Sequence, residues 1–186
     1  MRKMMTTRTG CVVVSSNLHG DNRGSFTVVQ DSEMQDVIRE LGSRPILFKQ
    51  TNVSRSHKNV VRGMHFQIKN PQGKLIRVLN GRVIDAVIDL RGGSGTYGQV
   101  EVFDLNYDAG AVYIPPGFAH GFWAQEDNTI FHYMCTEEYD AKSDGGINPM
   151  DASLDLPWIG KDGLIVSEKD LRLPKLSEER YMFGDV

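Results

Sequence analysis

Apolar and polar residues alternate along several short segments of the chain, as they do in strands that bury one face. Turn-forming residues separate these segments about every 8–12 residues, a spacing typical of antiparallel sandwiches and barrels. Residues 32–41 instead carry apolar residues at helical spacing, with Ser32 and Gln35 predicting a capping box and Gly42 the end of the helix. The predicted strands are residues 11–14, 24–29, 46–53, 60–67, 75–79, 82–90, 99–105, 111–114, 118–123 and 128–135.

A hairpin is predicted at Asn80-Gly81, because this dipeptide favours a two-residue type I′ turn between the strands that flank it. The register of such a hairpin puts Lys74 and Asp85 diagonally across from each other on one face. If that face is the interior, Lys74 points into the same space as His65, with Asp85 as a neighbour.

The last part of the chain is less regular. Residues 144–158 are rich in Gly, Asn, Asp and Pro, which predicts an irregular excursion over the sheets. Residues 164–171 predict a strand end that enters a helical turn, where Ser167 and Asp170 have capping-box spacing. We therefore expect an all-β antiparallel sandwich with one helix in its N-terminal half and short C-terminal helical segments, forming one domain over residues 1–186.

Composition excludes several classes of protein. A net charge of −3 and a pI near 5.9 disfavour a nucleic-acid surface, which needs a basic patch. No apolar run approaches the roughly 20 residues of a membrane span, and the first residues lack the apolar core of a secretion signal, so we expect a cytoplasmic protein. Cys11 and Cys135 are too few for a disulfide framework and lack metal-site spacing, so they predict buried free thiols.

Two side chains are candidates for chemistry on sequence grounds. His65 lies in the middle of a predicted strand beside Gly63, which leaves open space, although a histidine in such a place is more often structural. Arg23 lies in a polar turn, where it is either a solvated hairpin tip or an anion contact through its guanidinium group. Regular alternation puts Arg62 on the face of its strand away from His65.

Five segments carry a resemblance in their order and spacing. They are residues 62–67 (RGMHFQ), 72–78 (QGKLIRV), 85–91 (DAVIDLR), 114–122 (IPPGFAHGF) and 167–170 (SEKD). Together they resemble the dTDP-4-dehydrorhamnose 3,5-epimerase family over roughly residues 10–175. The resemblance implies a cupin-type jelly roll and a homodimer. It also implies an enzyme that needs no cofactor or metal and inverts C3, C5 or both in a nucleotide-linked 4-keto-6-deoxy sugar.

The resemblance also implies roles for individual residues. His65 corresponds to the general base, Asp170 to the carboxylate that orients it, Lys74 to the cation near the keto oxygen, and Tyr133 to the acid on the opposite face of the ring. The corresponding substrate contacts are Arg23 and Arg62 for the diphosphate, Phe26 and Tyr139 around the nucleotide, and Gln50, Asn52 and His120 in the pocket.

The position of Arg62 needs an explanation if it and His65 both touch substrate. Either Gly63 distorts the strand, or Arg62 serves the site of a neighbouring subunit. We favour the second explanation, because it also accounts for a dimer.

Three positions depart from the family pattern. Val28 stands where the family commonly has a glutamate that recognises thymine, Met134 replaces a lysine, and Pro149 replaces a tryptophan. We expect these changes to surround the sugar and the nucleotide. They leave open another nucleotide, another 4-keto sugar, or inversion at one centre only.

Two other classes of cupin are alternatives to an epimerase. A metal-dependent oxygenase generally uses two or three histidines with a carboxylate, and here only His65 and His120 are plausible ligands. A sugar-binding cupin without catalysis would have no need of His65, Asp170 and Tyr133 together.

Overall fold

Two antiparallel sheets form the body of the protein. The structure, a computed structural model, describes residues 4–42, 46–178, 181 and 183–184. Within these ranges the strands are β1 (Met4–Thr6), β2 (Val12–Val14), β3 (His19–Asp21), β4 (Gly24–Phe26), β5 (Gln50–Ser56), β6 (Val60–Gln67), β7 (Lys74–Asn80), β8 (Arg82–Asp89), β9 (Val100–Asn106), β10 (Ala111–Ile114), β11 (Phe118–Ala124), β12 (Thr129–Cys135), β13 (Asp144–Gly146) and β14 (Ile165–Val166), and the helices are α1 (Ser32–Gly42) and α2 (Glu168–Leu171).

Strand pairing defines which segments form each wall of the sandwich. The first sheet has the order β1-β2-β10-β7-β12-β5, and the second has the order β13-β6-β11-β8-β9, with β14 added parallel to β6. β3 and β4 pair only with each other and form a separate two-stranded arm. The predicted antiparallel sandwich is therefore confirmed.

The core between the sheets is made by the inward faces of strands from both walls. Ile76 and Val78 from β7 pack with Val83 and Val87 from β8 and with Phe131 from β12, and all five are fully buried. Burying a side chain of this kind stabilises the fold by about 1.5–3 kcal/mol. These residues hold the two sheets together below the end where the polar side chains described below are found.

The outer face of the second sheet is covered by residues 147–158. The irregular excursion predicted over residues 144–158 therefore begins later, because residues 144–146 form β13. Leu156 and Trp158 pack there against Met64, and the Trp158 indole Nε1–H donates to the Pro149 carbonyl at 2.8 Å. Met34 of α1 belongs to a separate buried cluster on the outer face of the first sheet. Both outer faces are therefore occupied, and open space remains between the sheets.

The helices differ from prediction in their caps. α1 begins at Ser32 and ends at Gly42, but the Asp31 carboxylate caps it by accepting from the Met34 N–H at 3.0 Å. The predicted capping box of Ser32 and Gln35 is therefore wrong by one position. No helix in the described part of the chain is long and apolar enough to cross a membrane.

Two predicted strands have different limits in the structure. The strand predicted over residues 46–53 begins only at Gln50, and the one predicted over 24–29 ends at Phe26. Cys11 and Cys135 are free and buried, as predicted.

The predicted hairpin at Asn80-Gly81 is wrong, because its two strands belong to different sheets. Asn80 pairs with Ile130 in the first sheet, whereas Arg82 pairs with Asn106 in the second. Gly81 has the positive φ that the dipeptide predicts, at +79°, but there it turns the chain from one wall to the other. The diagonal register between Lys74 and Asp85 therefore does not exist.

A bulge in β6 solves the problem of Arg62. His65 pairs with His120 of β11, but Arg62 pairs with Phe122, so three steps on β6 match two on β11. The extra residue reverses the alternation of side chains and brings Arg62 to the same side as His65. Distortion at Gly63 is thus the explanation that holds. The preferred explanation, an Arg62 that serves the site of a neighbouring subunit, is wrong, because Arg62 lines the cavity of its own chain.

Replacing Gly63 by alanine should destabilise the protein by about 1–3 kcal/mol. Gly63 has a φ of +145°, and a Cβ there would lie 2.7 Å from the Gly121 Cα on β11. Gly95→Ala is the matched control, because a Cβ at Gly95 meets open space. Urea denaturation measures both variants, and equal stability of the two would contradict this account of the bulge.

Candidate active site

A cavity of about 690 Å³ lies between the two sheets, with walls supplied by both. His65 and Arg62 from β6 and His120 from β11 line it on the side of the second sheet. The first sheet contributes Lys74 from β7, Tyr133 from β12, and Gln50 and Asn52 from β5, and Tyr139 and Asp170 complete the set of predicted residues found there.

His65 and Asp170 form a hydrogen-bonded pair on the wall of the second sheet. The imidazole Nε2 lies 2.7 Å from Asp170 Oδ1, and the side chains are 38% and 6% exposed. The imidazole therefore reaches the cavity, while the carboxylate behind it is shielded from water.

The short helix α2 places this carboxylate. Its N-cap is Ser167, whose hydroxyl oxygen accepts from the Asp170 N–H at 3.0 Å, as the sequence spacing predicts. Burial raises the pKa of the Asp170 carboxyl, but hydrogen bonds from His65 and Ser167 outweigh it and leave the pKa below its ordinary value. Asp170 thus has a structural role through its backbone and faces His65 with a charged side chain.

Tyr133 lies on the opposite wall. Its phenol comes from β12 of the first sheet, whereas His65 comes from β6 of the second. Burial, and after it the nearby Cys135, raises the pKa of the Tyr133 phenol, while Arg62 lowers it. The net shift is upward, so the phenol is protonated at neutral pH and able to donate a proton.

Lys74 extends into the cavity from β7 and is almost fully buried. Its Nζ donates to the His65 carbonyl oxygen at 3.4 Å. Burial lowers the pKa of the Lys74 ammonium, and the nearby Cys135, Asp85 and Asp144 partly offset this effect. An ammonium group with so little solvation interacts strongly with any negative charge that forms beside it.

Polar contacts hold the remaining wall of the first sheet. The Gln50 Nε2–H donates to Asn52 Oδ1 at 2.8 Å, and Gln50 Oε1 accepts from the Tyr139 N–H at 2.7 Å. The half-exposed ring of Tyr139 lies at the cavity rim. The Arg62 Nε–H donates to the Ser56 hydroxyl at 3.1 Å.

Two predicted residues lie outside the cavity of their own chain. Arg23 and Phe26 belong to the β3–β4 arm, where Arg23 pairs with Asp21 at 2.6 Å and its side chain is 86% exposed. Phe26 is 66% exposed. Neither is among the residues that line the cavity.

Sequence reasoning missed two charged residues of the cavity wall. Lys169 and Asp144 form an ion pair at 2.5 Å there. The signal for Lys169 was available, because it precedes Asp170 in a segment that carries the resemblance. Asp144 could not be found in this way, since none of the segments that carry the resemblance includes it.

The expected position of the departures from the family pattern is wrong for Met134 and Pro149, which lie on the outer faces of the sheets, whereas for Val28 it stays a prediction. Met134 packs with the cluster on the outer face of the first sheet, and Pro149 lies over the outer face of the second. Val28 follows the arm and is 40% exposed. None of the three lines the cavity.

The two histidines of the cavity each face a different carboxylate. His65 pairs with Asp170, and His120 Nε2 lies 2.8 Å from Asp85 Oδ2. Among the residues that the structure describes, no group of three or more His, Cys, Asp or Glu is placed to hold a metal ion.

A two-sheet sandwich whose cavity sets a histidine–aspartate pair against a phenol defines a cupin-type acid–base enzyme. The family model described as dTDP-4-dehydrorhamnose 3,5-epimerase matches residues 5–178. The chain therefore belongs to this family, and it is an epimerase, which is a kind of isomerase.

Individual relatives agree with this assignment. The chain is 38% identical over 182 residues to the dTDP-4-dehydrorhamnose 3,5-epimerase of Methanothermobacter thermautotrophicus, covering 95% of each protein. The crystal structure of the corresponding enzyme from Elizabethkingia anophelis superposes with a TM-score of 0.87 at 33% identity, over 97% of this chain and 99% of the other.

A dTDP-6-deoxy-D-glucose-3,5-epimerase from Legionella pneumophila, solved in complex with dTDP-4-keto-L-rhamnose, gives a TM-score of 0.85 at 33% identity, over 95% and 94% of the two chains. These superpositions confirm the predicted cupin-type jelly roll.

Proposed function

We propose that the protein epimerises a nucleotide-diphosphate-linked 4-keto-6-deoxy sugar of the dTDP-4-dehydro-6-deoxy-D-glucose type, inverting C3, C5 or both. The observation that carries the proposal is the opposition of His65 with Asp170 on one wall to Tyr133 on the other. Inverting a carbon requires that a proton leave from one face and that another arrive on the opposite face, so two groups on facing walls meet the requirement.

Lys74 is proposed to stabilise the intermediate. When a proton leaves a carbon next to the ketone, negative charge arrives on the carbonyl oxygen, and a fixed donor must face that oxygen. The Lys74 ammonium, buried between the sheets, is such a donor. It serves both carbons that flank the ketone, because the same oxygen accepts the charge in either case.

His65 is proposed as the base and Asp170 as the group that orients it. A carboxylate 2.7 Å from Nε2 holds the proton on that nitrogen and favours the imidazolium as it forms. The other ring nitrogen is then the acceptor that faces the sugar. Tyr133 returns a proton from the opposite face, in keeping with a phenol that stays protonated at neutral pH.

The nucleotide base is the least constrained part of the proposed substrate. Tyr139 lies at the rim and offers an aromatic face, and Arg62 offers a cation for the diphosphate. Val28 lacks the carboxylate that the family commonly has at this position, so a nucleotide other than dTDP is the alternative within the same chemistry.

We further propose a homodimer in which the β3–β4 arm of one chain completes the cavity of the other. Arg23 and Phe26 are exposed and lie outside the cavity of their own chain, although the family resemblance assigns both to the substrate. Both observations agree if the arm of a second copy of the chain reaches the cavity of the first. A cytoplasmic location belongs to the same proposal, supported by the two unpaired thiols.

Incubation in D₂O with several nucleotide-linked 4-keto-6-deoxy sugars tests the proposed function directly. The wild type should exchange protons at C3, C5 or both with solvent deuterium, and NMR of the products identifies the carbons. His65→Ala should slow the exchange by about 10²–10⁴-fold, because the base is lost.

The matched control for this loss is His57→Ala, since the His57 side chain is 84% exposed and remote from the cavity wall. Rapid exchange by His65→Ala with an intact fold would remove His65 from the role of base. Failure of the wild type to exchange with any of these sugars would overturn the proposed function.

Tyr133→Phe should reduce inversion more than it reduces the first exchange, because the base still removes the proton while the opposite face has lost its acid. The ratio of inverted product to deuterium uptake measures this. Tyr107→Phe is the control, since the Tyr107 ring lies beside Arg77 and outside the cavity. Equal loss of both signals would show that the phenol is not the opposite-face acid.

Mixed dimers of Arg23→Ala and His65→Ala chains should recover activity, although each variant alone is impaired. If Arg23 serves the other chain's cavity, one of the two sites in a mixed dimer has both residues intact. Co-expression with two affinity tags gives such dimers, and sedimentation checks their mass. A mixed dimer no more active than its parents would mean that Arg23 acts within its own chain or not at all.

A further inference from the structure

Asp85 is a buried carboxylate of the cavity region to which the proposed reaction assigns no role. It lies on β8, directly behind the cavity wall, and is fully buried. Its Oδ2 lies 2.8 Å from His120 Nε2. Its other oxygen, Oδ1, is buried without a hydrogen-bond partner among the described residues. A buried carboxylate oxygen left unbonded is costly, so its retention calls for a reason.

His120 connects Asp85 to the place where the sugar would lie. It pairs directly with His65 across the β11–β6 ladder, so both imidazoles project from neighbouring strands on one side of the second sheet. Its ring stacks on Phe131, with centroids 5.9 Å apart and an interplanar angle of 24°. Because Nε2 faces Asp85, Nδ1 is the nitrogen that remains for a ligand in the cavity.

Lys74 is the second side chain of the cavity on which Asp85 acts. Asp85 is among the groups that raise the pKa of the Lys74 ammonium against the effect of burial. Burial raises the pKa of the Asp85 carboxyl, which His120 and Lys74 lower in part. One carboxylate of the second sheet therefore contacts His120 on its own wall and acts electrostatically on Lys74 of the other wall.

The other charged or titratable groups around this cluster are few. Cys135 on β12 and Asp144 on β13 also raise the pKa of the Lys74 ammonium against the effect of burial. The pKa of the Cys11 thiol, next to β2, is raised mainly by burial and to a smaller extent by Asp85. Asp85 differs from these groups because it is a fully buried carboxylate that also contacts His120 Nε2.

We propose that Asp85 is a positioning residue for the epimerisation, holding His120 with its Nδ1 toward the sugar and keeping the Lys74 ammonium charged beside the ketone. This inference rests on the proposed function, because it gives Lys74 and His120 the sugar as their target. Asp85 touches no substrate atom itself and acts through these two side chains.

The pH profile of deuterium exchange by Asp85→Asn tests the proposal. Asparagine keeps the shape but removes the negative charge, so the pKa of Lys74 falls further and the ammonium is lost at lower pH. The alkaline limb of the exchange rate should therefore move down by about one pH unit or more. At neutral pH, kcat should fall more than KM changes, and Asp85→Glu, which keeps the charge, should leave the limb near its wild-type position.

Asp104→Asn is the matched control, since Asp104 lies on the neighbouring strand β9, pairs with Arg82 and is half-exposed. Its profile should coincide with that of the wild type. A folded Asp85→Asn variant with an unshifted alkaline limb would overturn the inference while leaving the proposed function intact. A wild type that exchanges no substrate proton would defeat the proposed function first.

A measurement on the wild type decides the matter if Asp85→Asn does not fold. Nitrogen-15 NMR of the histidine rings reports which nitrogen of His120 carries the proton. A proton on Nε2 throughout the working pH range supports the proposal. A neutral His120 ring protonated at Nδ1 overturns it, because the contact with Asp85 would then not hold the ring.

Discussion

The apolar layer between the two sheets is the constraint on which the site depends. Packed sheets lie about 10 Å apart, a separation that side chains such as Ile76, Val83 and Val87 maintain below the cavity. Above them, the same separation leaves room for a sugar ring between His65 and Tyr133. The distance between the walls that carry His65 and Tyr133 is therefore set by the apolar core beneath the cavity.

Each ionisable group in a cavity of this kind needs a partner of opposite charge, because burial has removed its charge from water. The structure does this in pairs: His65 with Asp170, His120 with Asp85, and Lys169 with Asp144. Lys74 differs, since its hydrogen bond is a long one, at 3.4 Å, to the His65 backbone carbonyl. The Lys74 charge is therefore the one most available to a negative charge that forms on a substrate. Burying this charge lowers the stability of the fold, a cost that is common at functional sites.

Much of the fold could be predicted from local pattern, because alternation and capping act over a few residues. The strands around His65 and Tyr133 and the turn at Ser167 follow from such signals. The Asn80-Gly81 hairpin failed because the dipeptide specifies a backbone turn, whereas the choice of sheet depends on strands far away in the chain. Distortion at Gly63 was one of two explanations that the sequence left open, and the sequence could not decide for it, since the bulge forms where β6 meets Gly121 of β11.

The location of Arg23 and Phe26 could not be deduced either, because a sequence does not say which chain's cavity an arm reaches. The resemblance supplied the candidate residues, and the geometry shows which of them line one cavity. Asp85 shows the opposite case: the sequence suggested it as a neighbour of Lys74 through a hairpin that does not exist, and the structure brings the two together from different sheets.

The hydrogen bond between His65 and Asp170 joins positions 105 residues apart. Nearly the whole chain must therefore have been synthesised before His65 can pair with Asp170. A molecule whose C-terminal segment has unfolded lacks the carboxylate that pairs with this imidazole. The cavity therefore has its full set of charged groups only in molecules that are folded to the end of α2.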